Sequence, residues 1–583
     1  MGIILTMKER LLWLVGITCV CITGLAWAQN AQQRVNILHV KIVGLPDAPL
    51  KNVLQRLNDQ QQLIQYHFNT NTLLRFYRTI PQEIQLGIQP YGYFQSTVQS
   101  HIRNEGNVWY SDFTVSPGPR VKFTQLDFQV IGAGQKDPDF QRLYSHFPVK
   151  VGHYFNAEQY KKAKEMLFDI ASARGYFRAK MLHSVVYIDL RTFSARVVIH
   201  FDTGPRFYFG STTFSPTPFN ESFLNRFLQY QAGKPYEQYQ LQNTRQGLAN
   251  SNYFQQVIIT PEPDQTRDFH VPIHIDVTPQ LKKQYSFGAG YGTDTGLRAL
   301  ISIDYRWVNR YGHRFNTYLR ASQFNSELLA NYYIPGYRPE SDQYVFTGGL
   351  LSQDQETGSG KSGRLSVGYE TVTGAWQQSI SLVYLRERYN LVNLPKINTS
   401  MLYPMYTLQR YSRDNAVNPT RGFNFVGRVL GASKDLLSKT NFVQTRADTK
   451  FLVTLFDHTR LLLRASVGYT AIKDLVNLPL SLQLFAGGAE SIRGYRYNSI
   501  GPGQQLFVGS FEIQQKIKGG FYLTAFFDAG NVNNDIIKHP LKQGVGPGLA
   551  WISPIGMLEV TFATAISQPN RPWVIQFSMG PTL

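Results

Sequence analysis

The sequence of 583 residues predicts two parts: an α+β N-terminal part of three repeated domains, and an all-β C-terminal part of sixteen strands that forms a transmembrane barrel. A block of about 80 residues recurs three times before residue 281. From about residue 282 onward, helical periods disappear, and segments of about ten residues alternate apolar with polar side chains. After residue 30 no run approaches about 18 consecutive apolar residues, which excludes helical membrane spans.

The N-terminus has the features of a cleaved secretory signal at residues 1–28. Basic residues at positions 8 and 10 precede an apolar stretch, and Ala26-Trp27-Ala28 provides a small-residue cleavage site. A single membrane anchor is the alternative interpretation, but an apolar stretch of about 17 residues is at the short limit for spanning. We therefore expect an exported protein.

Charge and cysteine content narrow the possible partners. The formal net charge is +19, which by itself suggests nucleic acid. An exported protein meets little nucleic acid, so anionic lipid head groups or acidic polypeptides are the expected partners. Cys19 and Cys21 both lie inside the predicted signal, so the mature chain would hold no disulfide and no thiolate metal site.

The repeat in the first half is marked by Tyr-Phe pairs that begin at residues 93, 176 and 253, in "YGYFQSTV", "RGYFRAKM" and "SNYFQQVI". Each unit starts with an alternating strand, and its second helix ends near the pair, which gives the order strand, helix, helix, strand, strand. We interpret the pair as packing at the helix end. The predicted domains cover residues 29–120, 121–205 and 206–280.

The second half, residues 281–583, alternates as expected for lipid outside and water inside. In "RLLLRASVGYT" at 460–470 leucine, valine and tyrosine share one face and arginine the other. An even strand number places both barrel ends on the side of the N-terminal domains. Long connections are expected at 388–402 and 472–503. The predicted strands lie near 284–292, 297–308, 313–323, 326–334, 343–353, 363–371, 376–387, 403–411, 422–431, 441–456, 459–471, 504–515, 520–528, 545–552, 556–565 and 571–580.

The three repeated units resemble the polypeptide-transport-associated (POTRA) domains of the BamA/TamA superfamily, and the barrel carries matching motifs. "SIRGY" at 491–495 resembles the family's loop-six motif, and "FFDAG" at 526–530 matches its Phe-x-Asp-x-Gly strand motif. The resemblance implies a periplasmic arm of three POTRA-like domains. Exposed sheet edges of such an arm pair with extended client segments.

The resemblance implies that Arg493, with Gly494 and Tyr495, folds back into the barrel lumen. Asp528 and Glu512 are the implied acidic partners, and the period of two places both on the inner face. A guanidinium suits bidentate contact with carboxylates. In the alternative interpretation Arg493 is solvated and Asp528 merely ends a strand.

The resemblance also implies a seam between the first and the last barrel strand, which pair to close the barrel and open sideways to template an incoming strand. The predicted seam residues are Ser286 and Phe287 on the first strand, with Gln576, Ser578 and Gly580 on the last. A glycine weakens a strand, so Gly580 would shorten the pairing.

The function implied is insertion or translocation of proteins at the bacterial outer membrane, with outer-membrane proteins or autotransporters as clients. Three arm domains rather than five indicate the TamA branch. The partner implied for that branch is a TamB-like, inner-membrane-anchored periplasmic protein. The barrel would also contact outer-membrane lipid. A secretion pore for one dedicated substrate is the alternative, although that branch usually has two arm domains and a plug helix. A passive porin is disfavoured by the arm.

Enzymatic chemistry, cofactors, metals and nucleic acid are not expected. The stretch "GSGKSG" at 358–363 resembles a phosphate-binding loop, but Gln355 stands where the first glycine of that motif is needed, and the flanks are strands. The twelve histidines form no H-E-x-x-H motif, and G-x-S-x-G is absent.

Overall fold

A computed structural model describes residues 37–64, 70–106, 108–293, 296–392, 394–415, 418–456, 458–553 and 556–580. The predicted signal at 1–28 lies outside the described residues. The chain divides into two compact units: one holds the residues up to Ala171 with Arg178–Gly204, and the other holds Ser172–Phe177 with the residues from Pro205 onward. Among the described residues, no helix is both long and apolar enough to cross a lipid bilayer.

The first unit contains two three-stranded sheets, each flanked by helices. In both sheets the first strand pairs in parallel with the last, and the remaining strand pairs antiparallel with that last strand. The alternation predicted from the sequence buries one face of each sheet, as at Val197, Ile199 and Phe201. The elements are β1 Ile37–Val43, α1 Asp47–Ile64, α2 Thr70–Ile88, β2 Thr97–Glu105, β3 Val108–Ser116, β4 Lys122–Ile131, α3 Pro138–Ser145, α4 Ala157–Ala173, β5 Lys180–Asp189 and β6 Ser194–Asp202.

The second unit begins with a third sheet of the same topology, in the order β7-β9-β8. Its first helix is a single turn, shorter than the repeat predicts, because aromatic side chains at Phe219, Phe223 and Phe227 fill the space beside the sheet. Tyr253, from the last Tyr-Phe pair, is buried in the same core. The elements are β7 Tyr208–Phe214, α5 Glu221–Leu224, α6 Gln238–Asn250, β8 Phe254–Pro261 and β9 His270–Pro279.

The third sheet domain is attached to the first turn of the barrel. The hydroxyl of Tyr253 donates to the carbonyl of Gly312 at 2.5 Å, and the amide of Asn220 donates to the carbonyl of Arg310 at 2.9 Å. Burial raises the pKa of Tyr253 to about 12, so this hydroxyl stays protonated. Gly312 has φ +76°, and a Cβ there would lie 2.2 Å from the ring of Phe223. The turn therefore fits against the domain only with glycine at this position.

Sixteen antiparallel strands form one sheet in sequence order, which confirms the predicted barrel. The short strands β21 Leu484–Ala486 and β22 Ile500–Gly503 pair with each other in the connection after β20. The barrel strands are β10 Lys283–Gly292, β11 Gly296–Tyr305, β12 Arg314–Ser322, β13 Asn325–Pro335, β14 Asp342–Gln355, β15 Gly358–Thr373, β16 Trp376–Leu391, β17 Ile397–Arg413, β18 Arg421–Ala432, β19 Phe442–Leu455, β20 Thr459–Ile472, β23 Gln505–Lys518, β24 Phe521–Asn533, β25 Lys542–Ser553, β26 Gly556–Ala565 and β27 Trp573–Gly580.

One predicted connection is wrong and another is correct. Most of 388–402 is strand rather than loop, because β16 continues to Leu391 and β17 starts at Ile397. The inward side chains of this extension are covered: the hydroxyl of Tyr389 donates to the carbonyl of Val476 at 2.6 Å. The connection between β20 and β23, residues 473–504, is long as predicted, and we call it loop six.

The barrel end beside the third sheet domain is the near end, and the opposite end, where loop six begins, is the far end. Outward-facing positions of the strands are mostly apolar and exposed, with Phe287 77% exposed. Inward-facing positions are polar or contact loop six. This partition is the one expected for lipid outside the barrel and water or protein inside it.

Candidate functional site

Loop six folds into the lumen and packs against the inner walls of the barrel. Its apolar side chains Leu484, Ile492 and Tyr495 are buried with Val508 of β23 and Ala565 of β26. A connection of this length without long elements of its own needs such tertiary contacts to be ordered.

Arg493 lies at the centre of this packing and contacts both acids that the family resemblance implies. Its Nε and Nη2 atoms donate to the two carboxylate oxygens of Asp528 at 2.8 and 2.9 Å, and its backbone amide donates to the same carboxylate at 2.9 Å. Nη1 donates to Glu512 at 2.5 Å. Exposure is 2% for Arg493, 0% for Asp528 and 1% for Glu512, so the alternative of a solvated Arg493 does not hold.

Further groups surround the ion cluster and hold its carboxylates in place. The hydroxyl of Ser510 donates to Asp528 at 2.6 Å, and the guanidinium carbon of Arg493 lies 3.5 Å from the ring centre of Phe526. Glu559 on β26 adds a third carboxylate 3.8 Å from Arg493. Because buried charges are costly unless paired and hydrogen-bonded, these contacts constrain loop six to one position.

Gly494 and Tyr495 connect the same segment to the last strands. Gly494 has φ +91°, and a Cβ there would lie 2.9 Å from the backbone nitrogen of Ala565. Its amide faces the side-chain oxygen of Gln576 on β27 at 3.4 Å, and the Tyr495 hydroxyl is 2.7 Å from that of Ser567. The three predicted loop residues therefore lie together, between β23 and β24 on one side and β26 and β27 on the other.

A second, apolar anchor of loop six was missed by the sequence reasoning. Leu478 packs with Leu385 and Met401 of the opposite wall, and Leu480 packs with Tyr389. Glu387, an acid among apolar inward residues, accepts hydrogen bonds from the amide and the hydroxyl of Ser481. The position of Glu387 on the inward face was the one available signal for this contact.

The tip of loop six reaches a third part of the wall. The side-chain amide of Asn498 donates to the side-chain oxygen of Gln355 at 2.8 Å, and the side-chain amide of Asn325 donates to the hydroxyl of Tyr497 at 3.2 Å. Loop six thus contacts strands from β13 to β27 across the lumen. A cavity of about 310 Å³ remains beside Ser481–Leu484 and is lined by polar and apolar side chains in mixture, with three arginines, Arg364, Arg428 and Arg446, among them.

The predicted seam lies at the two ends of the sheet order, and the described parts of β10 and β27 share no ladder. Their closest polar contact is the amide of Phe577, which donates to the hydroxyl of Thr293 at 3.0 Å. The expected strand pairing is therefore absent between the described residues. Over its described residues, each of the two strands thus has one edge that belongs to no ladder.

The predicted seam residues are distributed over both faces of these strands. Phe287 faces outward and Ser286 inward, whereas Gln576 is buried against loop six and Ser578 is half-buried on the inner face. Gly580 is the last described residue of β27 and pairs with Met557. Of the five, Gln576 alone joins the seam to Gly494.

A compact turn at the near end matches another stretch of the sequence, "YSRDNAVNPTRGF". The carboxylate of Asp414 accepts hydrogen bonds from the amides of Thr420 and Arg421 and from the Thr420 hydroxyl. The hydrogen bond from the Thr420 hydroxyl, aided by those from the two amides, lowers the pKa of Asp414 to about 2. The acid closes the β17–β18 connection by turn chemistry.

Comparisons with known proteins bear on both halves of the chain. The family described as "Omp85 superfamily domain" matches residues 283–583, and "POTRA domain TamA domain 1" matches residues 39–117. The outer membrane protein assembly factor BamA of Neisseria meningitidis serogroup B is 20% identical over 478 residues, 66% of this chain and 58% of that protein. The chain therefore spans less than two thirds of that relative.

One solved structure shares the fold, and a second gives a weaker match. BamA from Haemophilus ducreyi lacking POTRA domains 1-3 superposes with a TM-score of 0.65 at 18% identity and covers 79% of this chain and 99% of that one. CdiB from Acinetobacter baumannii gives a TM-score of 0.47 at 15% identity, over 92% of this chain and 99% of that one.

Proposed function

The chain belongs to the Omp85 superfamily, and on this basis we propose that it inserts or translocates client proteins at the outer membrane through a seam that opens sideways. It is an outer-membrane protein whose N-terminal domains lie in the periplasm. The near end of the barrel is thus the periplasmic end. The clients are outer-membrane β-barrels or autotransporters.

The observation that carries this proposal is the unpaired edge of β10 and β27. Backbone groups without partners cost several kcal/mol each in hydrocarbon. An incoming client strand that pairs with such an edge removes this cost, and main-chain pairing needs little sequence preference. The seam can therefore template strands of many clients, and it requires no covalent chemistry, cofactor or metal.

The position of loop six supports assembly at the seam over export through the lumen. Loop six contacts opposite walls of the lumen through Arg493, Leu480 and Asn498. A secretion pore would have to release all three anchors for every substrate, whereas a seam that opens between β10 and β27 would not.

The arm would recruit both clients and an inner-membrane-anchored partner of the TamB type. The first domain, which matches the TamA type, has β1 and β2 as the edges of its sheet. Residues along β2 are mostly exposed, so an extended segment of the partner or a client can add a strand there.

A cross-link across the seam tests the lateral route. Thr293→Cys and Phe577→Cys place two thiols at the contact between the end of β10 and β27. The mature protein is predicted to have no other cysteine. Oxidation should abolish client insertion and reduction should restore it. Ile301→Cys with Leu319→Cys, which are directly opposite on β11 and β12, is the matched control and should leave insertion unchanged.

Full insertion by the cross-linked seam would overturn lateral opening. The clients can be identified by depleting the protein and quantifying all outer-membrane proteins. Autotransporters or other barrel proteins should then decrease in abundance. A census that stays unchanged, while one soluble secreted protein is lost, would favour the export pore.

A further inference from the structure

The membrane-facing surface of the barrel carries a basic patch at the far ends of β15 and β16. The outer basic patch consists of Lys361, Arg386 and Arg388, all exposed. The period of two places the arginines outward, because their neighbours Leu385 and Glu387 are buried inside. Lys361 pairs with Arg388 in register, so it shares that outward face.

No other lysine or arginine faces outward in the far halves of the described barrel strands. The remaining outward positions there are apolar, small or uncharged, apart from Asp354. Outward cations such as Arg410 and Arg421 lie at the near end instead. Among the barrel strands, the outer basic patch is therefore a local feature of β15 and β16. Further exposed lysines stand in the far-end connections, and the nearest, Lys439, donates to the carbonyl of Asn398, which is opposite Arg388.

The patch is electrostatically unfavourable by itself. Lys361 and Arg388 lie directly opposite on neighbouring strands, and Arg386 lies two residues along the same face. Like charges in that arrangement repel. In the part of the chain that the structure describes, no carboxylate lies within 4.0 Å of the three cations, and Asp354 pairs with Ser359 one step further out.

An apolar hollow of about 470 Å³ lies directly below the patch on the membrane face. Gly348 forms part of its floor, and a Cβ there would meet only the side chain of Leu365, at 3.7 Å. Tyr384 is the outward residue next to Arg386 along β16, so the cations adjoin the upper edge of the hollow. The side chains around it are Phe346, Leu365, Val367, Leu382, Tyr384 and Leu402.

We propose that this surface binds an anionic, phosphorylated lipid of the outer leaflet. Guanidinium groups of Arg386 and Arg388 pair with the phosphate, with Lys361 as a third positive charge, and an acyl chain fills the hollow. The occupant is a lipid rather than a soluble anion because the cations border an apolar hollow that faces hydrocarbon. Basic side chains beside apolar barrel surface are the arrangement that recognises charged lipid head groups.

The test uses the full chain in a non-ionic detergent, with bisphosphorylated lipid A and its dephosphorylated form as probes. Bound lipid is counted by native mass spectrometry during a titration. The double variant Arg386→Gln, Arg388→Gln should bind the phosphorylated lipid at least tenfold more weakly and the dephosphorylated lipid as the wild type does. The near-end double variant Arg410→Gln, Arg421→Gln is the matched control and should bind both normally.

A second variant examines the hollow separately from the charges. Gly348→Leu places a side chain in the hollow without backbone contact, so it should weaken binding of both lipid forms while heat-modifiable mobility stays as in the wild type. Wild-type lipid affinity in the arginine variant would overturn the proposal. Unchanged affinity in Gly348→Leu, together with competition by inorganic phosphate, would assign the patch to a soluble anion and equally overturn it.

Discussion

The two walls of the barrel differ in strand length and in how they are closed. The back wall, β14 to β20, has strands of 12 to 17 residues, each paired with both of its neighbours. The front wall, β10 to β12 with β26 and β27, has strands of 8 to 10 described residues and ends in the seam. Loop six is held to the back wall through Leu480, which we call the back-wall anchor. Beside the front wall it is held through Arg493, which binds Glu512 on β23 and Asp528 on β24 and lies 3.8 Å from a carboxylate of β26; we call this the front-wall anchor.

Strand length translates into height against the bilayer. Sixteen residues extend about 53 Å and eight about 26 Å, which at a tilt of about 40° gives heights of about 40 and about 20 Å. The hydrocarbon core is about 30 Å thick. The back wall is therefore taller than the core and the described part of β27 shorter, so the mismatch with lipid falls beside the seam.

The largest expected effect comes from removing the front-wall anchor with Arg493→Ala. Asp528 and Glu512 would then be buried without their cation, which costs about 3 to 5 kcal/mol. The temperature at which heat-modifiable mobility is lost should fall clearly. Arg496→Ala is the control, because its ion pair with Glu356 is exposed. An equal fall in both variants would contradict a special role for the front-wall anchor.

The back-wall anchor is expected to contribute less. Leu480→Ala removes a buried side chain that packs with Tyr389, and a cost of about 2 to 3 kcal/mol is expected, at the lower end for such truncations because the loop can relax. Protease cleavage within loop six should increase. Leu436→Ala, in the exposed connection after β18, should change neither. No increase in cleavage would show that loop six keeps its position without the back-wall anchor.

Gly494→Ala sharpens the comparison at the contact between loop six and β26. Positive φ costs about 1 kcal/mol for a residue with a Cβ, and the close approach to Ala565 adds a clash. Gly519→Ala has positive φ with open space around it, so it measures the strain alone. Thermal melts should show the larger loss for Gly494→Ala. Equal losses would mean that loop six yields freely at this point.

The smallest effect concerns pH and the back-wall turn at Asp414. Because its pKa is lowered from 3.8 to about 2 in the folded chain, its contribution to stability is complete above about pH 4 and is lost as pH falls through about 2. The contribution of Asp414 is measured as the difference in acid-unfolding midpoint between the wild type and Asp414→Asn. A stability difference that stays constant from pH 5 to pH 2 would contradict this assignment.

The strand pattern was predictable from the sequence because side-chain direction has a period of two. The facing of Asp528, Glu512, Leu523 and Phe527 follows from that period alone, and the family resemblance then paired Arg493 with the two acids. The first step needs only the period of two along one strand. The second step needs only the two short motifs that carry the resemblance.

Contacts between distant parts of the chain were not predictable. The extension of β16 and β17 into the predicted connection at 388–402 is covered by loop six, which lies more than 70 residues away along the chain. Whether β10 pairs with β27 depends on the closure of the whole sheet. The outer basic patch can be recognised only when the register that places Lys361 opposite Arg388 is known.

The bond between Tyr253 and Gly312 has a mechanical consequence. Gly312 belongs to the hairpin of β11 and β12, whose first strand pairs with β10 at the seam. A displacement of the third sheet domain would therefore act first on this hairpin, one strand away from the edge of β10. If the proposed function holds, a client bound to that domain would be mechanically linked to the first barrel strand through this hydrogen bond.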